Sequence, residues 1–343
     1  MLAGISLPFL IAVFVGSAAA IAFAGVRLAH VADTLADRTG MGEIIAGAVF
    51  VGASTSLPGV ITSVTTALDG YPQLSIANAL GGLTAQTTFL VVADIFYRRA
   101  NLEHAAASAT ALAQATLLMT MLAVPLLAMS GPQITLFHVH PASLILFAIY
   151  AAGVRLLREI NAQPMWRPVR TTDTASEEAQ AERMPVDSRS DARLWLIFIA
   201  CAGVTAVAGY FIGQASIGLV EVTGISQTAF GTLFTAVATS LPELVTAIAA
   251  VRIGALNLAF GDVIGGNAFE VLFLAAADFA YLDGSIYAEF TADHVFLTMT
   301  VILMTGVLLL GLLHRERHGI ANIGWEGAVI LGLYAMSATV MFL

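Results

Sequence analysis

The sequence contains no lysine: its 14 basic residues are all arginine, set against 23 acidic ones. Charged residues make up only 11% of the 343 positions, where a soluble domain carries roughly 25%. So sparse a charge excludes an ordinary soluble globular domain; in a membrane chain the net charge of −9 says little about partners, and no nucleic-acid partner is expected. The single cysteine, Cys201, excludes an internal disulfide, and neither CxxC nor Cys/His metal spacing occurs. No nucleophile–base set, phosphate-cradling glycine loop or metal-hydrolase spacing is present, so an enzyme and a resident cofactor find no support. Met1-Leu2-Ala3-Gly4 lacks the basic start of a signal peptide. The first apolar run is therefore expected to remain as a helix that starts outside.

Apolar residues dominate, at 58% of the chain. Runs of roughly 20 residues, each long enough to cross a bilayer as a helix, lie near 5–27, 43–67, 72–97, 105–129, 138–156, 193–213, 226–250, 255–281, 292–313 and 322–342. About ten transmembrane helices are expected. With that count every arginine falls on one side: Arg27 and Arg38; Arg98 and Arg99; Arg155 through Arg193; Arg252; Arg315 and Arg317. By the positive-inside rule that side is cytoplasmic, and both termini face outward. The alanine-rich, lysine-free composition fits a GC-rich bacterial genome and hence the inner (plasma) membrane, with the lipid bilayer as the surrounding partner.

One polar stretch of length, 158–192, divides five spans from five. Its low hydrophobicity and mixed charge predict a flexible cytoplasmic linker. The first half is thus 1–157 and the second 193–343.

A motif occurs once in each half. Thr55-Ser56-Leu57-Pro58-Gly59 returns as Thr239-Ser240-Leu241-Pro242-Glu243, at an offset of 184. Without a gap, the same offset pairs Thr39-Gly40 with Thr223-Gly224, Gly47 with Gly231, Gly70 with Gly254, Gly81-Gly82 with Gly265-Gly266, Phe89-Leu90 with Phe273-Leu274, and Asp94 with Asp278. The repeats cover about 39–97 and 223–281. An odd number of spans separates the copies, so they run in opposite directions. The predicted fold is an all-α membrane protein with two inverted five-helix halves, the architecture of alternating-access transporters with the site where the halves meet.

Each motif places Thr, Ser and Pro in mid-membrane. Proline removes a backbone donor and breaks the helix, which is tolerated at that depth only inside protein or beside a wet cavity. Freed carbonyls and hydroxyls are hard oxygen ligands for Na⁺ or Ca²⁺. The alternative is a kink with Ser and Thr bonding back to their own helix. Glu243 and Glu270 sit in the middle of spans seven and eight. A charge there costs at least ~2.5 kcal/mol on insertion scales, which argues for a task and an interior partner. Asp262, eight residues before Glu270, either lines the access path or caps a helix; Asn78 matches it in the first repeat. Glycines at 81, 82, 261, 265 and 266 suit close helix packing. Asp94 and Asp278 near span ends read as interface anchors, and His138, His140, His314 and His318 as solvated residues.

The paired motifs resemble the α-repeats of the cation/Ca²⁺ antiporter superfamily, the sodium/calcium exchanger membrane region, and the resemblance covers essentially the whole chain. It implies countertransport of Ca²⁺ against Na⁺ or H⁺, with small inorganic cations as ligands. It also implies Glu243 and Glu270 as metal ligands, with Thr55, Ser56, Thr239, Ser240 and Gln86 supplying neutral oxygens. The first repeat departs from the pattern: Gly59 stands where the family has an acid, Gln86 at an Asn position and Gly82 at a Ser position. Two further readings stay open. One is a monovalent cation/H⁺ antiporter that has lost Ca²⁺ transport; the other is a non-transporting membrane scaffold or sensor that keeps the fold.

Overall fold

The computed structural model describes residues 6–39, 52–97, 99–169, 171, 174, 189–319 and 323–343. Gly40 and Gly47 of the repeat, Arg98 and, in the 158–192 stretch, residues 170, 172, 173 and 175–188 lie outside these residues. Among the described residues the chain is helical, with one isolated bridge between Leu136 and Val139. The helices are α1 (Leu7–Thr39), α2 (Gly52–Thr55), α3 (Leu57–Leu68), α4 (Pro72–Asp94), α5 (Leu102–Ala105), α6 (Ala109–Ser130) and α7 (Pro141–Ala162). They continue as α8 (Asp191–Thr223), α9 (Gln227–Phe230), a π-helical turn (Gly231–Thr235), α10 (Ala236–Thr239), α11 (Leu241–Ile253), α12 (Leu256–Glu270), α13 (Leu272–Ala280), α14 (Ala292–His314) and α15 (Trp325–Val340).

Among the described residues six segments are each long and apolar enough to cross a membrane: Leu7–Leu35, Pro72–Asp94, Ala109–Ser130, Asp191–Thr223, Ala259–Ala280 and Ala292–His314. The pair Gln227–Thr239 and Leu241–Ile253 would make a seventh, bent by 49° at its break.

The helices differ in what they face. α4 is buried along nearly its whole length; only Gln73, Phe89 and Val92 are partly exposed within it. It packs against α3, the π-helical turn, α11, α12 and α14. By contrast, α1 and α8 lie along each other at the periphery. They expose Phe9, Val15, Phe23, Leu196, Ile199 and Val207, as helices bathed in lipid can. Arg38 of α1 pairs with Asp191 of α8 at 2.5 Å. At the other end of α8, Glu221 accepts a hydrogen bond from Tyr71, and Gln214 donates to Asp69.

Close approach between helices depends on glycine. A Cβ on Gly81 would lie 2.6 Å from the Thr232 Cα, and one on Gly231 would lie 2.9 Å from the Leu74 carbonyl oxygen. The π-helical turn therefore presses backbone to backbone against α4. The repeat also shows in the turns: Gly70 and Gly254, an offset of 184 apart, both adopt positive φ, +81° and +82°, after α3 and α11.

Aspartates 94 and 278 correct the sequence reading. They are buried loop anchors, not interface residues. Asp94 accepts from the Leu102 N–H at 2.8 Å. Asp278 accepts from the His140 and Ile286 N–H groups at 2.8 and 2.9 Å and from the Ser143 and Ser285 hydroxyls at 2.7 and 3.0 Å. His140 is likewise buried rather than solvated, and its ring accepts from the Ala142 N–H at the start of α7. A loop that folds back into a helical bundle must satisfy its own backbone, and these side chains do it.

Candidate functional site

Both Thr-Ser-Leu-Pro motifs break their helix at the serine. Ser56 separates α2 from α3, and Ser240 separates α10 from α11. Pro58 and Pro242 lack the N–H that would reach back four residues, so Ser54 and Ala238 lose those helical partners. The second break is preceded by the π-helical turn at Gly231–Thr235, a feature frequent at functional sites. The first break's counterpart lies outside the described residues.

α4 and α12 cross these breaks and supply the polar side chains. Gln86 of α4 donates through Nε2 to the Ser240 hydroxyl at 3.2 Å and to the Glu270 carboxylate. Asn78, one face further along α4, donates to the Ser63 hydroxyl at 2.9 Å and to the Gly59 carbonyl at 3.2 Å, and it accepts from the Thr239 hydroxyl at 3.3 Å. Asn78 therefore ties the two repeats together, a larger part than the access-path role read from its position. Thr239 also bonds back to Thr235 and Ala236, and Thr55 to Gly52. The back-bonding alternative thus holds for the two threonines, whose oxygens keep acceptor capacity. Ser56 does not bond back: its hydroxyl is buried without a partner.

The two glutamates are buried. Glu243 follows Pro242 in the first turn of α11, and both its carboxylate oxygens stand outside close hydrogen bonds. The Thr55 side chain of the other repeat faces it. Glu270 reaches from the end of α12 toward α4, and its Oε2 has no partner. Counting Ser56 Oγ, Gln86 Oε1 and Asn267 Oδ1 with these three carboxylate oxygens, six buried oxygens on site residues have no close hydrogen-bond partner among the described residues. That matches the oxygen chemistry of a hard cation, which takes six to eight such ligands when it is Ca²⁺. Among the described residues no group of three or more His, Cys, Asp or Glu is placed to hold a metal.

Two glycines explain how the first repeat manages without its own acid. A Cβ on Gly59 would lie 2.5 Å from Cε2 of Phe273, so the phenyl ring fills the space where a side chain at 59 would go. A Cβ on Gly82 would lie 2.5 Å from Oε2 of Glu270, so the Glu270 carboxylate occupies that space. Gly82 therefore makes room for a carboxylate and does not serve helix packing as its sequence suggested; Gly81 does pack backbone. Asp262 is half-buried and accepts from the Thr246 hydroxyl at 3.2 Å, one turn from Glu243 along α11. It sits inside α12 and caps no helix end. Sequence reasoning missed Asn267, whose amide donates to the Thr87 hydroxyl at 3.0 Å. Its place beside Gly265-Gly266 in the second repeat was the available signal. It also missed Ser63, which carries no signal of its own, and the space filled by Phe273, which its pairing with Phe89 in the repeat does not reveal.

Comparison with known proteins follows the same division of the chain. The family model described as "Sodium/calcium exchanger protein" matches residues 9–157 and 193–343. The chain is similar to the sodium/calcium exchanger MaX1 of Methanosarcina acetivorans, 32% identical over 150 residues. That match spans 43% of this chain and 40% of the relative, so less than half of that protein is covered. It is similar over a longer stretch to the inner membrane protein YrbG of Escherichia coli, 30% identical over 259 residues and 72% of each chain. Among solved structures it resembles the sodium-calcium exchanger NCX_Mj, with a TM-score of 0.64 at 16% identity over 97% of this chain and 99% of that one. It also resembles the H⁺/Ca²⁺ exchanger CAX, with a TM-score of 0.68 at 13% identity over 97% and 85%. These structures share its fold. Two Pro-broken helices facing each other, and a family match over both halves, have one conclusion: the chain belongs to the sodium/calcium exchanger protein family.

Proposed function

We propose that the chain is a secondary cation antiporter that exchanges Ca²⁺ for Na⁺ or H⁺ by alternating access. One observation carries this reading: the buried, largely unpartnered carboxylates of Glu243 and Glu270 lie where the helix breaks of the two repeats face each other. Glu243 is the principal ligand and the point at which ions compete. Glu270 supplies the second charge; Thr55, Ser56, Thr239, Ser240 and Gln86 supply neutral oxygens, and Asn78 and Asp262 flank the site. The reading includes ten spans in two inverted halves, 1–157 and 193–343, with both termini outside and the 158–192 linker in the cytoplasm, which the one-sided arginines support. The similarity to proteins named as Na⁺/Ca²⁺ and H⁺/Ca²⁺ exchangers supports the ion classes.

Radiolabelled Ca²⁺ uptake into proteoliposomes under an outward Na⁺ or H⁺ gradient tests this, with Glu243→Gln alongside. Uptake under one gradient, abolished by Glu243→Gln, is the expected result and names the coupling ion. A second reading, monovalent cation/H⁺ exchange, is favoured by Phe273 filling the space beside Gly59. Absence of Ca²⁺ uptake under both gradients, with Na⁺-dependent proton movement that Glu243→Gln removes, would select it.

A further inference from the structure

A second pair of buried carboxylates lies away from the helix breaks, where α5, the loop after α14 and the start of α15 meet. Several hydrogen bonds sew this corner together. The Asn101 N–H donates to the Arg317 carbonyl at 3.0 Å, and the Arg315 guanidinium donates to the His104 carbonyl at 2.8 Å. The Trp325 N–H donates to Glu316 at 3.1 Å. Inside it, Glu103 of α5 and Glu326 of α15 are 2% and 0% exposed. Their carboxyl groups face each other across the corner. Room for Glu326 comes from two glycines: a Cβ on Gly311 would lie 2.6 Å from its Cγ, and one on Gly324 would lie 2.1 Å from its Oε1.

The contact needs something between the two groups. Ionised carboxylates only accept hydrogen bonds. Oε2 of Glu103 and both carboxylate oxygens of Glu326 have no donor among the described residues. Two like charges at contact cannot both persist. No metal-holding group of three His, Cys, Asp or Glu occurs among the described residues. The ligand that meets this geometry is a proton, held between the two carboxyls as in other carboxylate dyads.

We propose that Glu103 and Glu326 form a proton-binding site, distinct from Glu243 and Glu270, whose shared proton fastens the α4–α6 connection to α15. The groups that face it from neighbouring elements are Asp94 at the end of α4, His314 at the end of α14, and Glu316 in the following loop. Burial, then the charges of Asp94 and Glu326, hold the Glu103 carboxyl well above the ordinary carboxylate range. The sign follows. A carboxyl whose folded value is raised favours the folded state fully below its unfolded value, about 4.3. That stability is lost as pH rises through the folded value. Alkalinisation on this face therefore loosens the corner.

The test is thermal unfolding of the purified full-length protein across about pH 5 to about pH 9, a range that spans documented values for buried glutamates. Glu103→Gln and Glu326→Gln are compared with the parent. Each amide replaces the shared proton with a permanent donor. The parent should lose Tm with rising pH, while each variant loses less. The gap should widen in the variants' favour by about 2 °C or more across the range, the shift that one pKa unit of coupling gives in a chain of this size. Glu103→Ala, which removes both donor and acceptor, should lower Tm at every pH. Glutamine variants whose profiles run parallel to the parent, or that fall as far as Glu103→Ala throughout, would overturn the proposal. Because the readout is unfolding, the result does not depend on whether the protein carries Ca²⁺.

Discussion

Gln86 and Glu270 stand 184 residues apart, the repeat offset itself, and their side chains hydrogen bond to each other. The pair joins α4 of the first repeat to α12 of the second, and one partner carries an acid where the other carries an amide. The amide can donate to the carboxylate, which two carboxylates could not do.

Glycine 82 gives the carboxylate of Glu270 its place. In Gly82→Ala the new methyl would lie 2.5 Å from Oε2, and the far end of a flexible side chain can move aside. The fold should hold, with little change in Tm, while apparent cation affinity falls about tenfold, ~1.4 kcal/mol. Concentration dependence of radiolabelled Ca²⁺ uptake measures this; unchanged affinity would mean that Glu270 does not ligate.

Restoring an acid at position 59 should fail by itself. Gly59→Glu drives a side chain into the Phe273 ring, and such overpacking costs about 1–3 kcal/mol. Lower Tm and no gain in Ca²⁺ uptake are expected. Gly59→Glu combined with Phe273→Ala clears the space and should bind Ca²⁺ more tightly than the parent. The double-mutant cycle should be strongly non-additive; additive effects would show that the ring does not exclude the acid.

Where helices meet through backbone, nothing can yield. Gly81→Ala would bring a methyl within 2.6 Å of the Thr232 Cα, and Tm should fall by several degrees, for about 1–3 kcal/mol. Gly16→Ala is the control, since Gly16 is exposed with nothing within 4 Å. It should be neutral or stabilise by roughly 0.5–1 kcal/mol.

Aspartate 278 accepts four hydrogen bonds from the loop–helix junctions around it. Asp278→Ala leaves those donors buried and unpaired, at about 1–3 kcal/mol each where water cannot enter. A fall in Tm is expected, with coupling-ion preference unchanged in whatever protein remains folded. A shift in ion preference would instead tie Asp278 to the transport path.

Much of this was legible before any coordinates. The spacing of apolar runs gave an all-helical membrane chain, and the paired Thr-Ser-Leu-Pro gave two broken helices at Ser56 and Ser240. The offset brought Gln86 and Glu270 into correspondence, though not into contact. The unreadable part was steric. That Phe273 fills the space at Gly59, or that Gly82 admits a carboxylate, depends on which helix faces which, and a missing side chain looks the same in sequence whatever fills its volume. Asp94, Asp278 and His140 misled for a related reason. A polar residue near a span end looks solvated, yet loops that fold inward need buried acceptors. Asn78 was underestimated because one asparagine in an apolar run does not reveal its partners, Ser63 and Thr239.

The ring of Phe273 has an electrical consequence. With no acid at position 59, the two carboxylates proposed to hold the ion, Glu243 and Glu270, both come from one repeat. In an exchanger built this way, one Ca²⁺, two Na⁺ or two H⁺ each bring the loaded carrier to neutrality. The membrane potential, worth about 2.3 kcal/mol per charge per 100 mV, then has no grip on any loaded form. It acts only on the empty carrier, holding its two charges toward the positive face.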